Sequence, residues 1–207
     1  MTDSKRVSWL SCTVAMILLL FLLIALHSQS PKSAIDSITS YYPLSVGNKW
    51  IYEVKEKGKV GKPVKWEATQ KEILHGLPVY HIWEVPSEDD EPLSLSVKKD
   101  SIAEDGTERI LLKFPMIQGD HWSGRIDGSV AKKALDSFTV VEIGKPCSVG
   151  LQKFDDCLLI REVDDSNNSA SLTTYARGVG PVLLIYYKGT HSDQIDTILI
   201  IKSWIVK

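Results

Sequence analysis

The chain of 207 residues carries 24 lysines and arginines against 26 aspartates and glutamates, a formal net charge of −2 at pH 7. This balance argues against the concentrated basic surface of a nucleic-acid-binding protein, so we expect no nucleic-acid partner. About 180 residues follow the apolar N-terminal segment, which is enough for one domain with a sizeable core and too few for two.

That segment, residues 7–26, contains no charge and directly follows Lys5 and Arg6. As a helix it would be about 30 Å long, the thickness of the hydrocarbon core of a bilayer. It is predicted to be a transmembrane signal anchor or, alternatively, a signal peptide cleaved just before Pro31, a position that signal peptidase tolerates poorly. In both cases the two basic residues stay in the cytoplasm. The rest of the chain is therefore expected outside the cytoplasmic membrane, in the periplasm or the extracellular space, with the membrane as partner of residues 7–26.

Residues 27–40 are rich in serine and are predicted to form a linker, followed by an extracytoplasmic β domain over residues 41–207. From residue 41 onwards, short runs of β-branched and aromatic residues are interrupted by Gly, Pro, Asn and Asp at intervals of about eight to twelve positions, which is typical of an antiparallel sheet. Residues 127–136 are the only exported stretch with a helical tendency, and Gly128 weakens it. The predicted fold class is all-β.

Three of the predicted strands have distinctive patterns. Residues 93–98 alternate most regularly, so Leu93, Leu95 and Val97 should face the core and the serines should face water. Residues 182–187 and 198–201 are apolar at successive positions and are expected to lie centrally in the sheet or between two layers. A strand that begins at residues 64–68 is predicted to turn at His75-Gly76 into a strand over residues 79–83, so that the two form a hairpin. The other predicted strands are, in chain order, residues 50–54, 93–98, 109–114, 138–143, 157–163, 171–176, 182–187 and 197–206.

Two loops share one motif, Tyr42–Trp50 and Phe114–Trp122, in which an aromatic-Pro pair leads to Gly-Asn or Gly-Asp and a Trp that begins the next strand. Together with Phe154–Leu158 and Tyr175–Pro181, these loops make the chain resemble a widespread family of uncharacterised bacterial extracytoplasmic proteins, many of them lipoproteins. The resemblance covers residue 41 to about residue 187. It implies a curved antiparallel meander, half-barrel or sandwich-like, in the periplasm or at the cell surface, and it brings no known reaction.

The chain has three cysteines, of which Cys12 lies inside the apolar segment and does not match a lipobox. The other two, Cys147 and Cys157, are ten positions apart. An antiparallel hairpin can bring them to bridging distance, and the compartment outside the membrane permits oxidation. We predict a disulfide between them.

No motif in the sequence indicates catalysis. The histidines show neither Cys-x-x-Cys nor His-Glu-x-x-His spacing, so no metal site is predicted. There is no Gly-x-Ser-x-Gly elbow, and Gly178-Val179-Gly180 leads into a strand instead of the helix that a phosphate loop requires. We expect no catalytic residue and no cofactor, with a hydrolase as the least favoured alternative.

Aromatic residues concentrate on the predicted strands, where most of them should fill a core. A curved sheet that does not close can also leave an apolar groove, and the candidate groove residues are Trp66, Tyr80, Trp83 and Trp122. The sequence therefore predicts a membrane-tethered extracytoplasmic module that binds a ligand or an envelope protein or has a structural role in the envelope. The alternative is a carrier of a hydrophobic ligand such as a lipid or acyl chain.

Overall fold

The computed structural model describes residues 39–85, 91–107, 109–125 and 135–207. The predicted anchor, the linker up to residue 38 and most of the stretch 127–136 lie outside these ranges. In the described part of the chain, no helix combines the length and the apolar character needed to cross a membrane.

The described strands form one antiparallel sheet, which confirms the predicted all-β class. They are β1 (Lys49–Glu56), β2 (Lys59–Val60), β3 (Val64–Leu74), β4 (Leu77–Val85), β5 (Leu93–Val97), β6 (Ser101–Glu104), β7 (Ile110–Lys113), β8 (His121–Arg125), β9 (Leu135–Val149), β10 (Gln152–Asp164), β11 (Ser169–Ala176), β12 (Gly180–Tyr187) and β13 (Ile195–Ile205).

The sheet is a meander that curls until its two end strands approach each other. The strand order is β7-β6-β5-β4-β3-β1-β13-β12-β11-β10-β9-β8, and β2 pairs only with β1. Strands that are neighbours in this order are close in sequence, except where β1 pairs with β13. The predicted curved antiparallel meander is thus confirmed, and the sheet is nearly closed and barrel-like.

The central position predicted for the two most apolar strands is also confirmed, because β12 and β13 lie side by side in the middle of the order. On the concave face, Val182, Leu184, Leu199 and Ile201 are buried. On the convex face, their neighbours are half-buried, including Leu183, Ile185, Ile198 and Ile200. Strands in mid-sheet have a hydrogen-bonded neighbour on both sides, which suits residues that are apolar at every position.

The prediction that the serines of β5 face water is wrong for Ser96. Ser96 is 3% exposed and lies between Val79 and Ala103, which are equally buried. Its hydroxyl donates to the carbonyl oxygen of Ala103 at 3.3 Å. A serine that is hydrogen-bonded to the neighbouring strand can be buried at little cost in free energy. The alternation of serine with leucine therefore did not identify a solvent-exposed face in this strand.

The first strand is tied to a distant part of the chain by two aromatic side chains. The indole Nε1 of Trp50 donates to the carbonyl oxygen of Val179 at 2.6 Å, and the hydroxyl of Tyr52 donates to that of Pro181 at 2.9 Å. Both aromatic residues are fully buried. Burial with the polar atom satisfied is the favourable arrangement for Trp and Tyr.

The two loops that share a sequence motif also share a hydrogen-bonding pattern. In the first, the amide of Gly47 donates to the carbonyl of Ala68 at 2.7 Å, and the amide of Ala68 donates to the carbonyl of Asn48 at 2.9 Å. In the second, Gly119 and Val140 stand 72 positions later and form the same pair of bonds, with Asp120 in place of Asn48. Both glycines have φ of +91°, which explains why each motif needs glycine there.

This correspondence extends to the strands that follow. Trp50 on β1 pairs with Trp66 on β3, and 72 positions later Trp122 on β8 pairs with Phe138 on β9. The two halves of the sheet, β1 to β7 and β8 to β13, therefore begin with the same loop and the same strand pairing. Where the second half ends, β13 pairs with β1; where the first half ends, β7 faces β8 without a ladder between the two strands.

The predicted disulfide is present. Cys147 on β9 and Cys157 on β10 are bonded, with a Cα–Cα distance of 6.0 Å. The bond lies where the register between these two long strands shifts.

Candidate functional site

A surface pocket of about 250 Å³ opens over strands β3, β4 and β5. Its apolar lining consists of Trp66, Ile82 and Leu93, and its acidic residues are Glu84 and Glu91. The strand register produces this grouping, because Trp66 pairs with Glu84 and Ile82 pairs with Leu93, which places these side chains on one face. We take this pocket as the candidate site and call it the Trp66 pocket.

Trp66 connects the pocket to the core. Its ring centroid is 4.9 Å from that of the buried Tyr52, and its indole Nε1 donates to Oε2 of Glu84 at 3.1 Å. The residue is half-buried, so part of the ring is held by the core while part is available to a ligand. A rigid aromatic anchor of this kind is typical of binding sites.

The four predicted groove residues do not come together in the structure. Tyr80 lies on the same face of β4 as Ile82, but it is not among the residues that line the pocket. Trp83 pairs with Glu67 and therefore projects from the opposite face of the sheet. Trp122 is 9% exposed and stacks on Phe138 with 5.5 Å between ring centroids, at the far end of the sheet. Only Trp66 lines the pocket.

A cluster of charged residues that sequence analysis missed surrounds Arg109. Its guanidinium donates to Asp136 at 2.7 Å and to Glu104 at 3.3 Å, and it also donates to Glu162. The other carboxylate oxygen of Glu162 accepts a hydrogen bond from the hydroxyl of Ser171. One guanidinium thus faces three carboxylates, which leaves this cluster with an excess of negative charge.

Asp136 is the most buried member of the cluster, at 2% exposed. Burial raises its pKa to about 6, although the neighbouring Arg109 acts in the opposite direction. Its Oδ1 is buried without a hydrogen-bond partner in the described part of the chain. A buried carboxylate in this situation is stabilised chiefly by the guanidinium, so it depends on Arg109.

The same cluster bridges the two ends of the sheet. We call the line between β7 and β8 the seam. Arg109 immediately precedes β7, whereas Asp136 and Glu162 lie on β9 and β10. Across the same line, the indole of Trp122 donates to the carbonyl oxygen of Ile110 at 2.8 Å. Side chains therefore hold the seam together in place of a backbone ladder.

A hydrogen-bonded row of Glu72, His81 and Ser94 crosses three strands on the opposite face from the pocket. The His81 ring nitrogens lie 2.7 Å from Oε1 of Glu72 and 2.8 Å from Oγ of Ser94. The order of groups resembles a nucleophile, base and orienting acid, but none of the three lines a described pocket. We interpret the row as a link between strands.

The carboxylates and histidines of the sheet are not arranged as metal ligands. Within the ranges that the structure describes, no group of three or more His, Cys, Asp or Glu residues is positioned to hold a metal ion.

No protein-family model and no curated protein matches this chain. Among solved structures, a candidate lipoprotein from Parabacteroides distasonis is similar with a TM-score of 0.44 and 12% identity, over 81% of this chain and 99% of that one. A candidate exported protein with a YmcC-like fold from Bacteroides fragilis gives a TM-score of 0.39 and 10% identity, over 78% and 97% respectively.

Proposed function

We propose that this protein is an extracytoplasmic binding module, tethered or exported through residues 7–26, whose ligand binds in the Trp66 pocket. The observation that carries the proposal is the position of Trp66, which is anchored against Tyr52 in the core and lines an open pocket with Ile82 and Leu93. Apolar residues around one rigid aromatic ring, with a few polar groups beside them, are the usual composition of a small-molecule site.

Two features support the location outside the cytoplasm. The uncharged segment 7–26 has the length and the basic flank of an anchor or signal peptide. The bond between Cys147 and Cys157 requires an oxidising compartment to persist.

The oxidation state of these cysteines gives a direct test. We expect no free thiol in the denatured domain of residues 41–207 isolated from cells that produce the whole chain. Closure of a loop of ten residues contributes about 2–3 kcal/mol in the chain-entropy model, so the double variant Cys147→Ser/Cys157→Ser should lose that much free energy of unfolding in urea. Two titratable thiols in the native product would contradict the proposed compartment.

Binding can be tested with the neutral apolar dye N-phenyl-1-naphthylamine, whose fluorescence rises in an apolar environment. The wild-type protein should bind the dye, and Trp66→Ala should weaken binding by about tenfold, the effect of losing one aromatic anchor. Trp83→Ala is the matched control, because this tryptophan lies one strand away on the opposite face. The proposal is wrong if the dye does not bind or if both variants weaken binding equally.

The seam favours a second candidate function, a carrier of an acyl chain. The concave face is filled by side chains over much of its length, including Trp50, Leu158 and Val182. An acyl chain could therefore enter only where the sheet can open. The seam is such a place, because no backbone ladder has to break there. Mass spectrometry of the protein purified from its native membrane should then find a bound lipid. If none is present, the carrier function is excluded and the binding module is unaffected.

A further inference from the structure

We infer that the ligand of the Trp66 pocket is an amphipathic cation, an ammonium group attached to a short apolar chain. The inference rests on the proposed function and adds the chemical class of the ligand. It follows from the charges around the pocket, the aromatic ring within it and its size.

The polar residues that line the pocket in the described part of the chain are acidic. Of the described residues that line it, two are glutamates, Glu84 and Glu91, and none is lysine, arginine or histidine. Glu84 is exposed and uses one oxygen, Oε2, to accept the hydrogen bond from Trp66. A carboxylate has about four acceptor positions, so Glu84 retains the capacity to bind a cation.

The apolar residues of the lining suit both the cationic head group and the alkyl chain of such a ligand. The ring of Trp66 can attract a cation through its electron-rich face, and Ile82 and Leu93 can contact an alkyl chain. The volume of about 250 Å³ is slightly below the roughly 300–1,000 Å³ that drug-sized ligands occupy. The pocket therefore suits one head group with a few carbon atoms.

Three probes with the same six-carbon chain separate charge from apolar contact: hexyltrimethylammonium, hexan-1-ol and hexanesulfonate. Titration followed by Trp fluorescence at low salt should show that the ammonium binds about tenfold more tightly than the alcohol, the combined effect of two carboxylates and a cation–π contact. The sulfonate should bind more weakly than both. Raising the salt concentration should weaken binding of the ammonium only.

Two variants assign the effect to the acidic residues. Glu84→Gln and Glu91→Gln should each weaken binding of the ammonium by about threefold and leave binding of the alcohol unchanged. The amide oxygen introduced by Glu84→Gln can still accept the hydrogen bond from Trp66, so the pocket keeps its shape. Glu67→Gln is the control, since Glu67 pairs with Trp83 on the other face and is bonded to Lys49 and Lys65.

The outcomes distinguish this inference from the proposed function. Equal affinity for the ammonium and the alcohol, or equal effects of Glu84→Gln and Glu67→Gln, would overturn the inference and leave the binding module in place. Failure of all three probes and of N-phenyl-1-naphthylamine to bind would overturn both.

Discussion

Alanine in place of Gly180 should lower the free energy of unfolding by about 3 kcal/mol. Gly180 has φ of +108°, and a Cβ atom there would lie 2.9 Å from Nε1 and 3.3 Å from Cε2 of Trp50. Trp50 cannot move away easily, because it is fully buried and its Nε1 donates to Val179. The substitution therefore combines backbone strain with a clash against a fixed ring.

Gly178 provides the matched control in the same turn. It also has positive φ, +75°, but a Cβ atom added there would have no atom of another part of the chain within 4 Å. Gly178→Ala should lower the free energy of unfolding by about 1 kcal/mol, because it strains the backbone without a steric clash. Urea unfolding of both variants, followed by tryptophan fluorescence, measures the difference. Equal losses would mean that contact with Trp50 does not constrain Gly180.

Substitution of Arg109 by methionine should lower the free energy of unfolding by about 3 kcal/mol at pH 7. Methionine retains much of the side-chain volume but removes the guanidinium that faces Asp136, Glu104 and Glu162. Three carboxylates would then lie close together without a counter-charge. The measurement is the midpoint and slope of urea unfolding, compared with wild type.

The pH dependence of this loss of stability shows whether the charge of Asp136 is its cause. In the native protein, burial raises the pKa of Asp136 to about 6, above its value in the unfolded chain. The native state therefore favours the protonated form, and this contribution to stability is complete below about pH 4 and lost as the pH rises through 6. Without Arg109 the carboxylate is harder to ionise, so the loss in Arg109→Met should shrink as the pH falls from 7 to 4.

A second arginine supplies the control. Arg177 is bonded to Asp156, donates to Ser40 and lies 4.7 Å from the ring centroid of Tyr41, but its side chain is 38% exposed and faces one carboxylate instead of three. Arg177→Met should therefore have a smaller effect than Arg109→Met, and one that changes less over this pH range. A loss in Arg109→Met that is equally large at pH 4 and pH 7 would show that packing, and not charge, holds the seam.

Sequence periodicity predicted the parts of the fold that depend on burial along one strand. Runs of apolar residues identified β12 and β13 as central strands, and the two glycine-tryptophan loops identified two places where a tryptophan lies at the start of a strand. The four residues of β6 were missed because a strand that short shows too little alternation. Strands β9 and β10 are longer than predicted because their ends continue through polar residues that pair with a neighbouring strand.

Contacts between distant strands could not be predicted in this way. Arg109 meets Asp136 and Glu162, which lie 27 and 53 positions later, only because the sheet curls until its ends approach. The candidate site shows the same limit. Trp66 was predicted as a groove residue, but Trp83 was grouped with it although the register places the two on opposite faces. Side-chain direction in a sheet changes at every residue, so it cannot be assigned until the pairing is known.

The ladder between β1 and β13 determines the order in which this chain can fold as it is synthesised. The other ladders join strands that are close in sequence, so each half of the sheet can begin to form as soon as it emerges. Trp50 and Tyr52, by contrast, find their hydrogen-bond acceptors 129 positions later, at Val179 and Pro181. Until residues 179–181 have been synthesised, these two aromatic residues lack their native partners and can promote aggregation of the nascent chain. The final pairing of β1 with β13, the ladder of greatest sequence separation, is expected to limit the folding rate.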